Sequence, residues 1–542
     1  MDTVRAMSTV LAVAAAIQGA AVLAAAAAAA GVLVARDPRL RAAAMLAALA
    51  LSALAVATLE GGSLGRHPAT VAGAAAAGLV AVAALAALLL RRPALLGLLA
   101  LGALPFRVPL PVGDETASLL LPLYGVIAAG AAAEAVRWLR RGTGSAALEQ
   151  AELEPDRRLR LLLFALAAFV GLYAVQALYS TNLAVALKSV CLFYAPFAVL
   201  LRLLLDVDWT PARLRAAFWL VCGLAVVFAA VGFYEYASGQ LLLSNAKVQE
   251  ANDLKPYFRV NSLFFDPNIY GRFEALTMIA LAATLVWSRR RETVLLVAAA
   301  LAVLWAGLVL SLSQSSFAAL LGGLAVLAAL RWSPRPVLAA TAAAAAAAVA
   351  VVLLAPGAVE IDTRSQDTLD KATSGRFDLV RGALSMARDR PVWGFGSGSF
   401  GERYREREGV RSERVAAVSH TIPLTVAAEQ GAIGLAAYLA LMAAALALVF
   451  DRLLTRLGRG PPGIAEVAAA AVTAAFCALV LHTLVYAAFL EDPLAWTLPA
   501  LAATLRAPRS AEARPAGAET ATPPNGAPDP PARAGATPAR TA

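Results

Sequence analysis

Long apolar segments are the feature that most constrains what this chain can fold into. They recur up to about residue 505, and most are roughly 17–27 residues long, the length that an α-helix needs to cross a ~30 Å hydrocarbon core; the segments 93–104 and 493–505 are weaker candidates. Of the 542 residues, 60% are hydrophobic and 15% are charged. Soluble domains have about 45–50% apolar and about 25% charged residues. The sequence therefore excludes an ordinary soluble enzyme and a largely disordered chain. It predicts an all-α, polytopic transmembrane bundle.

The number and direction of the spans follow from the charges between the apolar segments. We predict about 14–15 spans. Every second loop is rich in arginine, such as 288–291 and 451–459, whereas the intervening loops, such as 180–182 and 313–316, are not. Because arginine-rich loops stay in the cytoplasm, this pattern predicts an outer N-terminus and a cytoplasmic C-terminus. It also explains the net charge of +10 without a nucleic-acid partner.

Composition divides the chain into four regions. We expect an N-terminal transmembrane bundle (1–356), a large external loop with amphipathic helices (357–421), C-terminal spans (422–506) and a disordered cytoplasmic tail (507–542). The external loop keeps its aromatic residues and glycines together in RPVWGFGSGSFGERY, which favours an ordered structure.

Three outer segments contain most of the informative polar residues. They read YFRVNSLFFDPNIYGRFE (257–274), SGRFDLVRGALSMARDRPVWGFGSGSFGERY (374–404) and SHTIPLTVAAEQGAIG (419–434). In this order they resemble the O-antigen ligase/polymerase superfamily of bacterial envelope glycan enzymes, over about 115–435. The residues that carry the resemblance are Arg259, Phe265, Asp266, Pro267 and Asn268; Arg376, Pro391, Trp393, Gly394, Gly396 and Phe400; and His420, Glu429, Gly431 and Gly434. The chain departs from the family by having Thr421 after the histidine and no arginine in the serine-rich turn 313–316.

The resemblance implies a membrane glycosyltransferase of the GT-C type. It would move a glycan from a polyprenyl-diphosphate carrier, such as undecaprenyl diphosphate, to an acceptor hydroxyl on the outer face of the cytoplasmic membrane. The acceptor would be a lipid A core, as for a ligase, or another carrier-linked glycan, as for a polymerase. The implied catalytic residues are His420, Arg376 and Arg259, and the implied substrate-binding residues are Arg272, Arg381, Asp266 and Asn268.

These residue types suit that chemistry. Arginine keeps its charge and pairs with phosphate through two N–H groups, and histidine is mostly neutral at pH 7 and accepts a proton. Arginines would replace a divalent cation in stabilising the departing diphosphate, so no metal or other cofactor is expected.

Two other functions remain open from the sequence. A transporter or flippase of lipid-linked sugars would need ionisable residues along a path through the membrane, for which Lys188 and Glu235 are the candidates. A relative of the peptidoglycan glycan polymerases would need an aspartate in the external loop, for which Asp378 and Asp389 are the candidates.

Some of the same residues also have a purely structural interpretation. Asp266, Pro267 and Asn268 are typical of a helix N-terminus. His482 lies inside an apolar segment, where a hydrogen-bonded packing role is expected. The pair Glu491–Asp492 is a weak candidate for cation binding.

Overall fold

The computed structural model describes residues 2–506 except 60–67, 113–114, 142–155, 244–245, 255–256, 355–375, 409–420, 452, 459–460 and 487–488. The part that it describes belongs to one compact unit ending at Arg506. The predicted tail, 507–542, lies outside the described residues.

The described residues are almost entirely helical. The helices are α1 (Asp2–Val34), α2 (Pro38–Leu59), α3 (Pro68–Arg91), α4 (Leu95–Ala103), α5 (Leu121–Arg141), α6 (Arg157–Ala177), α7 (Leu183–Ser189), α8 (Ala195–Leu205), α9 (Pro211–Ser238), α10 (Ala246–Leu254), α11 (Pro267–Trp287), α12 (Arg291–Ser311), α13 (Gln314–Arg331), α14 (Pro334–Leu354), α15 (Arg376–Asp389), α16 (Phe400–Glu408), α17 (Ile422–Phe450), α18 (Leu453–Leu457), α19 (Ile464–Thr483) and α20 (Leu494–Arg506). A π-helical turn over Val190–Tyr194 joins α7 to α8. A short antiparallel hairpin, β1 (Val108–Val112) and β2 (Glu115–Leu119), separates α4 from α5.

The predicted polytopic helical bundle is confirmed. Each apolar segment read from the sequence contains a helix, and eleven spans within the described residues are long and apolar enough to cross a membrane. The count is lower than the predicted 14–15 because α4 and α20 are short, with 9 and 13 residues. Helix α5 is long enough but carries Glu134, Arg137, Arg140 and Arg141 near its C-terminal end.

The loops gather at two ends of the bundle in the way that the alternating charges predict. At the arginine-rich end, Arg158 at the start of α6 pairs with Asp451 after α17, at 3.0 Å. At the other end, called here the site end, Asn268 at the start of α11 accepts a hydrogen bond of 2.9 Å from Ser313 before α13. The loops around 105–107, 178–182, 257–266, 311–314 and 484–493 all belong to the site end.

Two groups of helices build the site end. In the first, α11 packs against α12, α13 and α19. In the second, α17 packs against α6 and against α15, the first described helix of the predicted external loop. The segment between α19 and α20 joins the two groups, because Phe489 contacts Phe476 of α19 and Tyr438 of α17 through ring centroids 6.4 and 6.2 Å apart.

Candidate functional site

The start of α11 supplies the first part of the site. Asp266 caps this helix through Oδ1, which accepts a hydrogen bond from the Asn268 N–H at 2.6 Å, and Pro267 occupies the first turn. The sequence predicted this cap. The second carboxylate oxygen of Asp266 accepts a hydrogen bond of 2.8 Å from the Tyr486 hydroxyl. Asp266 therefore also joins α11 to the segment after α19.

Arg259 is held above the same helix start. Its Nε donates to the Ser311 carbonyl at 3.1 Å, and its Nη2 donates to Asn268 Oδ1 at 3.4 Å. Its backbone forms two hydrogen bonds with the Asn252 side chain, at 3.0 and 3.1 Å. Arg259, Asp266 and Asn268 are all half-buried, so this group stays accessible from the site end.

The carboxylate of Glu235 orders the backbone just after Arg259. It accepts N–H groups from Asn261 at 3.1 Å, from Ser262 at 2.7 Å and from Leu242 at 2.9 Å. Ser262 needs this support because it adopts a positive φ of 51°. The Glu235 carboxylate thus stabilises the local backbone. Lys188 is the other residue suggested for a transport path, and it lies on an exposed face of α7. These positions do not favour the transporter.

The serine-rich turn before α13 forms the floor under Asn268. The Ser313 hydroxyl donates to Asn268 Oδ1 and lies 2.7 Å from the Ser316 hydroxyl. Ser315 Oγ is 3.1 Å from Nε2 of the fully buried His482. The predicted packing role of His482 is confirmed. This turn contains no arginine, and the hydroxyl groups of Ser313, Ser315 and Ser316 form its polar network.

A buried ion pair lies beside this group. Arg272, one turn along α11 from Asn268, pairs with Asp492, and both side chains are 3% exposed. The Arg272 guanidinium lies 6.0 Å from the centre of the Tyr486 ring. Its Nη1 is buried and has no hydrogen-bond partner in the described part of the chain. The Asp492 carboxylate is thus occupied by an arginine.

Arg107, just before β1, belongs to the same charged group. Burial lowers the pKa of its guanidinium, the nearby Asp492 carboxylate opposes that change, and Arg272 adds to it. Burial also raises the pKa of the Tyr486 phenol far above its ordinary value, so the hydroxyl stays protonated and donates to Asp266. The sequence assigned no role to Tyr486 and contains no spacing signal for its contact.

The glycine-rich part of the predicted external loop docks on α17. Gly394, Gly396 and Gly398 all have positive φ, a backbone conformation that glycine adopts without steric cost. The Glu429 carboxylate accepts N–H groups from Gly398 at 2.9 Å and from Phe400 at 3.0 Å. Opposite them, α17 is broken at Gly431, with φ of 65°. The motif therefore forms a tight backbone contact with the break in α17.

An apolar cavity of about 620 Å³ runs along α11. Its upper wall includes Phe273 and Leu276, directly after Arg272, and its lower rim includes Ser288 and Arg290. At 1.5 Å per residue, the distance from Phe273 to Ser288 along α11 is about 22 Å, most of the thickness of a hydrocarbon core.

Comparison with known families bears on the class of this chain. The family model described as O-Antigen ligase matches residues 299–439, which are called the O-antigen ligase domain below. The match supports the O-antigen ligase/polymerase superfamily, and the eleven candidate spans support a multi-pass membrane protein. A search of curated proteins finds no match to this chain.

The site is built from the O-antigen ligase domain and from both of its flanks. Arg259, Asp266, Asn268 and Arg272 precede the matched residues, and Tyr486 and Asp492 follow them. The two flanks meet through the Asp266–Tyr486 hydrogen bond and the Arg272–Asp492 ion pair.

Four of the seven predicted site residues, Arg259, Asp266, Asn268 and Arg272, come together in this way. Arg381 lies exposed on α15. Arg376 begins α15, but its side chain lies outside the described residues, as does the whole of His420. Their predicted roles therefore stay predictions.

Proposed function

We propose that this protein is a GT-C type glycosyltransferase. It moves a glycan from a polyprenyl-diphosphate carrier to an acceptor hydroxyl on the outer face of the cytoplasmic membrane. The observation that carries the proposal is the position of two arginines at the site end, Arg259 and Arg272, on the N-terminal flank of the O-antigen ligase domain. Arg272 directly precedes Phe273, the first residue of α11 that lines the long apolar cavity. A lipid-linked diphosphate needs both features at once, cations for its head and an apolar space for its chain.

The arginines of this group would hold the diphosphate. The guanidinium of Arg259 is fixed in orientation by Ser311 and Asn268, so the entropy cost of ordering it is met before the donor binds. The buried Nη1 of Arg272 has no protein partner in the described part of the chain, and a phosphate oxygen would satisfy it. Arg376 is proposed as a third contact, with Arg381 assisting.

The polyprenyl chain would occupy the apolar cavity below this group. Phe273 and Leu276 begin the cavity one residue and one turn after Arg272, so a diphosphate bound at Arg272 places its first isoprene units at the cavity mouth. The apolar lining would stabilise the chain by excluding water from it.

The proposed reaction combines these contacts with His420 as the base. The acceptor hydroxyl attacks the anomeric carbon of the glycan as the bond from that carbon to the diphosphate oxygen breaks. His420 takes the hydroxyl proton, and the arginines stabilise the charge on the departing polyprenyl diphosphate. Attack from the face opposite the leaving group inverts the anomeric configuration.

The test uses the purified protein in liposomes with an undecaprenyl-diphosphate-linked glycan. The wild-type protein should transfer the glycan to a lipid A core or to a second carrier-linked glycan. Arg259→Lys should raise the KM for the donor about 10-fold or more, because an ammonium group does not reproduce the two-point contact. Arg388→Lys, on an exposed position of α15, is the matched control and should behave as the wild type. Movement of the donor across the bilayer without glycan transfer would instead establish the transporter.

A further inference from the structure

A second cavity at the site end, called here the polar cavity, has a larger share of polar groups in its lining than the first. It has a volume of about 110 Å³ and lies between α6, α7, α17 and the segment before α20. Its polar lining comes from Tyr173, Ser189, Tyr194, Glu429, Gln430 and Glu491. A buried water needs only about 10–15 Å³ of such space. The cavity therefore has room for several hydroxyl-sized groups, such as one edge of a sugar ring.

The cavity offers hydrogen-bond acceptors that the described part of the protein does not fully use. Glu491 accepts one hydrogen bond, from the Ser189 hydroxyl to Oε1 at 3.1 Å, and its other oxygen has no such bond within the described residues. Gln430 is 1% exposed, and its side-chain carbonyl oxygen also lacks a partner there. Buried acceptors without donors are costly, so a ligand that brings hydroxyl groups is favoured.

Aromatic rings complete the lining. Tyr173 and Tyr194 meet edge to face with ring centroids 5.0 Å apart, and Phe489 and Tyr438 do the same at 6.2 Å. A sugar has hydroxyl groups along its edges and C–H groups on its faces. An arrangement of carboxylate and amide acceptors beside aromatic rings matches both.

The position of this cavity relates it to the donor site. Glu491 lines the cavity, and its neighbour Asp492 pairs with Arg272 of the donor group. Ile422, which also lines the cavity, is two residues from His420 in the sequence. A hydroxyl group placed here is therefore close to the diphosphate contacts and to the start of α17.

We propose that the polar cavity binds the terminal sugar of the acceptor, with Glu491 accepting a hydrogen bond from one of its hydroxyl groups. Ser189 positions the Glu491 carboxylate for this contact. This inference rests on the proposed glycosyl transfer, and it adds the residues that select the acceptor. Burial raises the pKa of the Glu491 carboxyl, and the Ser189 hydrogen bond and Arg107 oppose that change.

The experiment measures transfer as a function of each substrate separately, with purified lipid A core and a second carrier-linked glycan as acceptors. Glu491→Gln should raise the acceptor KM about 10-fold or more, while the donor KM stays within about 2-fold. Ser189→Ala should raise the acceptor KM about 3-fold. Because it perturbs the same contact through a different residue, it still tests the proposal if Glu491→Gln does not fold. Glu466→Gln is the matched control, since Glu466 lines neither cavity and pairs with Arg456 at 2.8 Å.

The outcomes separate this inference from the proposed function. Selective loss of acceptor affinity in both variants supports the acceptor site. An unchanged acceptor KM, or equal increases in both KM values, overturns it while leaving glycan transfer intact. A wild-type protein that transfers no glycan to either acceptor overturns the proposed function itself, and the acceptor site with it.

Discussion

Arg272 and Asp492 form an ion pair whose two side chains are each only 3% exposed, although 220 residues separate them in the chain. The pair joins α11, which precedes the O-antigen ligase domain, to the segment that follows the domain. Two buried charges are stable only together, because either one alone would lack compensation in a poorly hydrated environment. The pair therefore fixes the distance between the donor group and the polar cavity lined by Glu491.

Removing one partner of this pair should destabilise the protein strongly. We expect Asp492→Ala to lower the free energy of unfolding by about 3–5 kcal/mol, because it leaves the Arg272 charge buried and unpaired. The double variant Arg272→Met, Asp492→Leu should recover most of the stability but not the transfer activity. Thermal unfolding in detergent checks both.

A more exposed ion pair provides the control for that experiment. In Arg456–Glu466 the side chains are 23% and 26% exposed. Glu466→Ala should therefore cost about 1 kcal/mol or less. Equal losses in Asp492→Ala and Glu466→Ala would contradict the importance given to the buried pair.

The break in α17 should tolerate no side chain at Gly431. Its φ is 65°, and a Cβ there would lie 2.3 Å from the Val392 carbonyl oxygen. Gly431→Ala should strain the backbone by about 1–3 kcal/mol and release the glycine-rich turn from α17. Faster tryptic cleavage after the exposed Arg388 would report the release. Gly171→Ala, in α6 with no atom within 4 Å of the added Cβ, should leave cleavage unchanged.

Local patterns in the sequence predicted the local parts of this site. The Asp266 cap follows from three adjacent residues, and the apolar segments predicted the helices, because hydrophobic length and capping act over a few turns. The contacts of Tyr486 with Asp266 and of Asp492 with Arg272 were not predicted, since no spacing rule relates residues on helices that meet only after folding. Glu491 and Asp492 are recognisable in the sequence as two adjacent acids. Their adjacency does not indicate that Asp492 pairs with an arginine while Glu491 lines a cavity.

The direction of the chain in the membrane is testable by cysteine labelling. Trp393 is 58% exposed at the site end, and the Asp208 side chain is 78% exposed at the arginine-rich end. Trp393→Cys should react with an impermeant maleimide from outside intact cells, and Asp208→Cys only after lysis. Both cysteine substitutions are introduced into a variant in which the native Cys191, Cys222 and Cys477 are replaced by alanine, so that only the new cysteine can react. Labelling of both positions from the same side would refute the predicted topology.

Metal independence is a separate prediction. The described residues contain no group of three or more His, Cys, Asp or Glu side chains arranged to hold a metal ion. Arginines are expected to stabilise the departing diphosphate instead. Transfer should therefore continue at an unchanged rate in excess EDTA. A loss that magnesium or manganese restores would show that a divalent cation takes part, and Glu491 would then be the first ligand to test.

The roles proposed for His420 and Arg376 make different kinetic predictions. His420→Ala removes the base, so transfer should slow about 10²–10⁴-fold while donor binding changes by about 2-fold or less. Arg376→Ala should slow transfer and also weaken donor binding, because a phosphate contact acts on the bound donor and on the departing diphosphate. Arg376→Lys should also lose most activity, because an ammonium group lacks the planar fork.

The pH dependence distinguishes the base from a residue that only shapes the site. A neutral imidazole accepts the proton, so activity requires pH above the histidine pKa, about 6.5 when unperturbed. In the wild type, kcat/KM should fall about 10-fold for each pH unit below that pKa. In His420→Ala the remaining activity should lose this acidic limb. If His420→Ala transfers glycan at nearly the wild-type rate, or keeps the same acidic limb, another residue accepts the proton and the proposed mechanism is wrong at its central step.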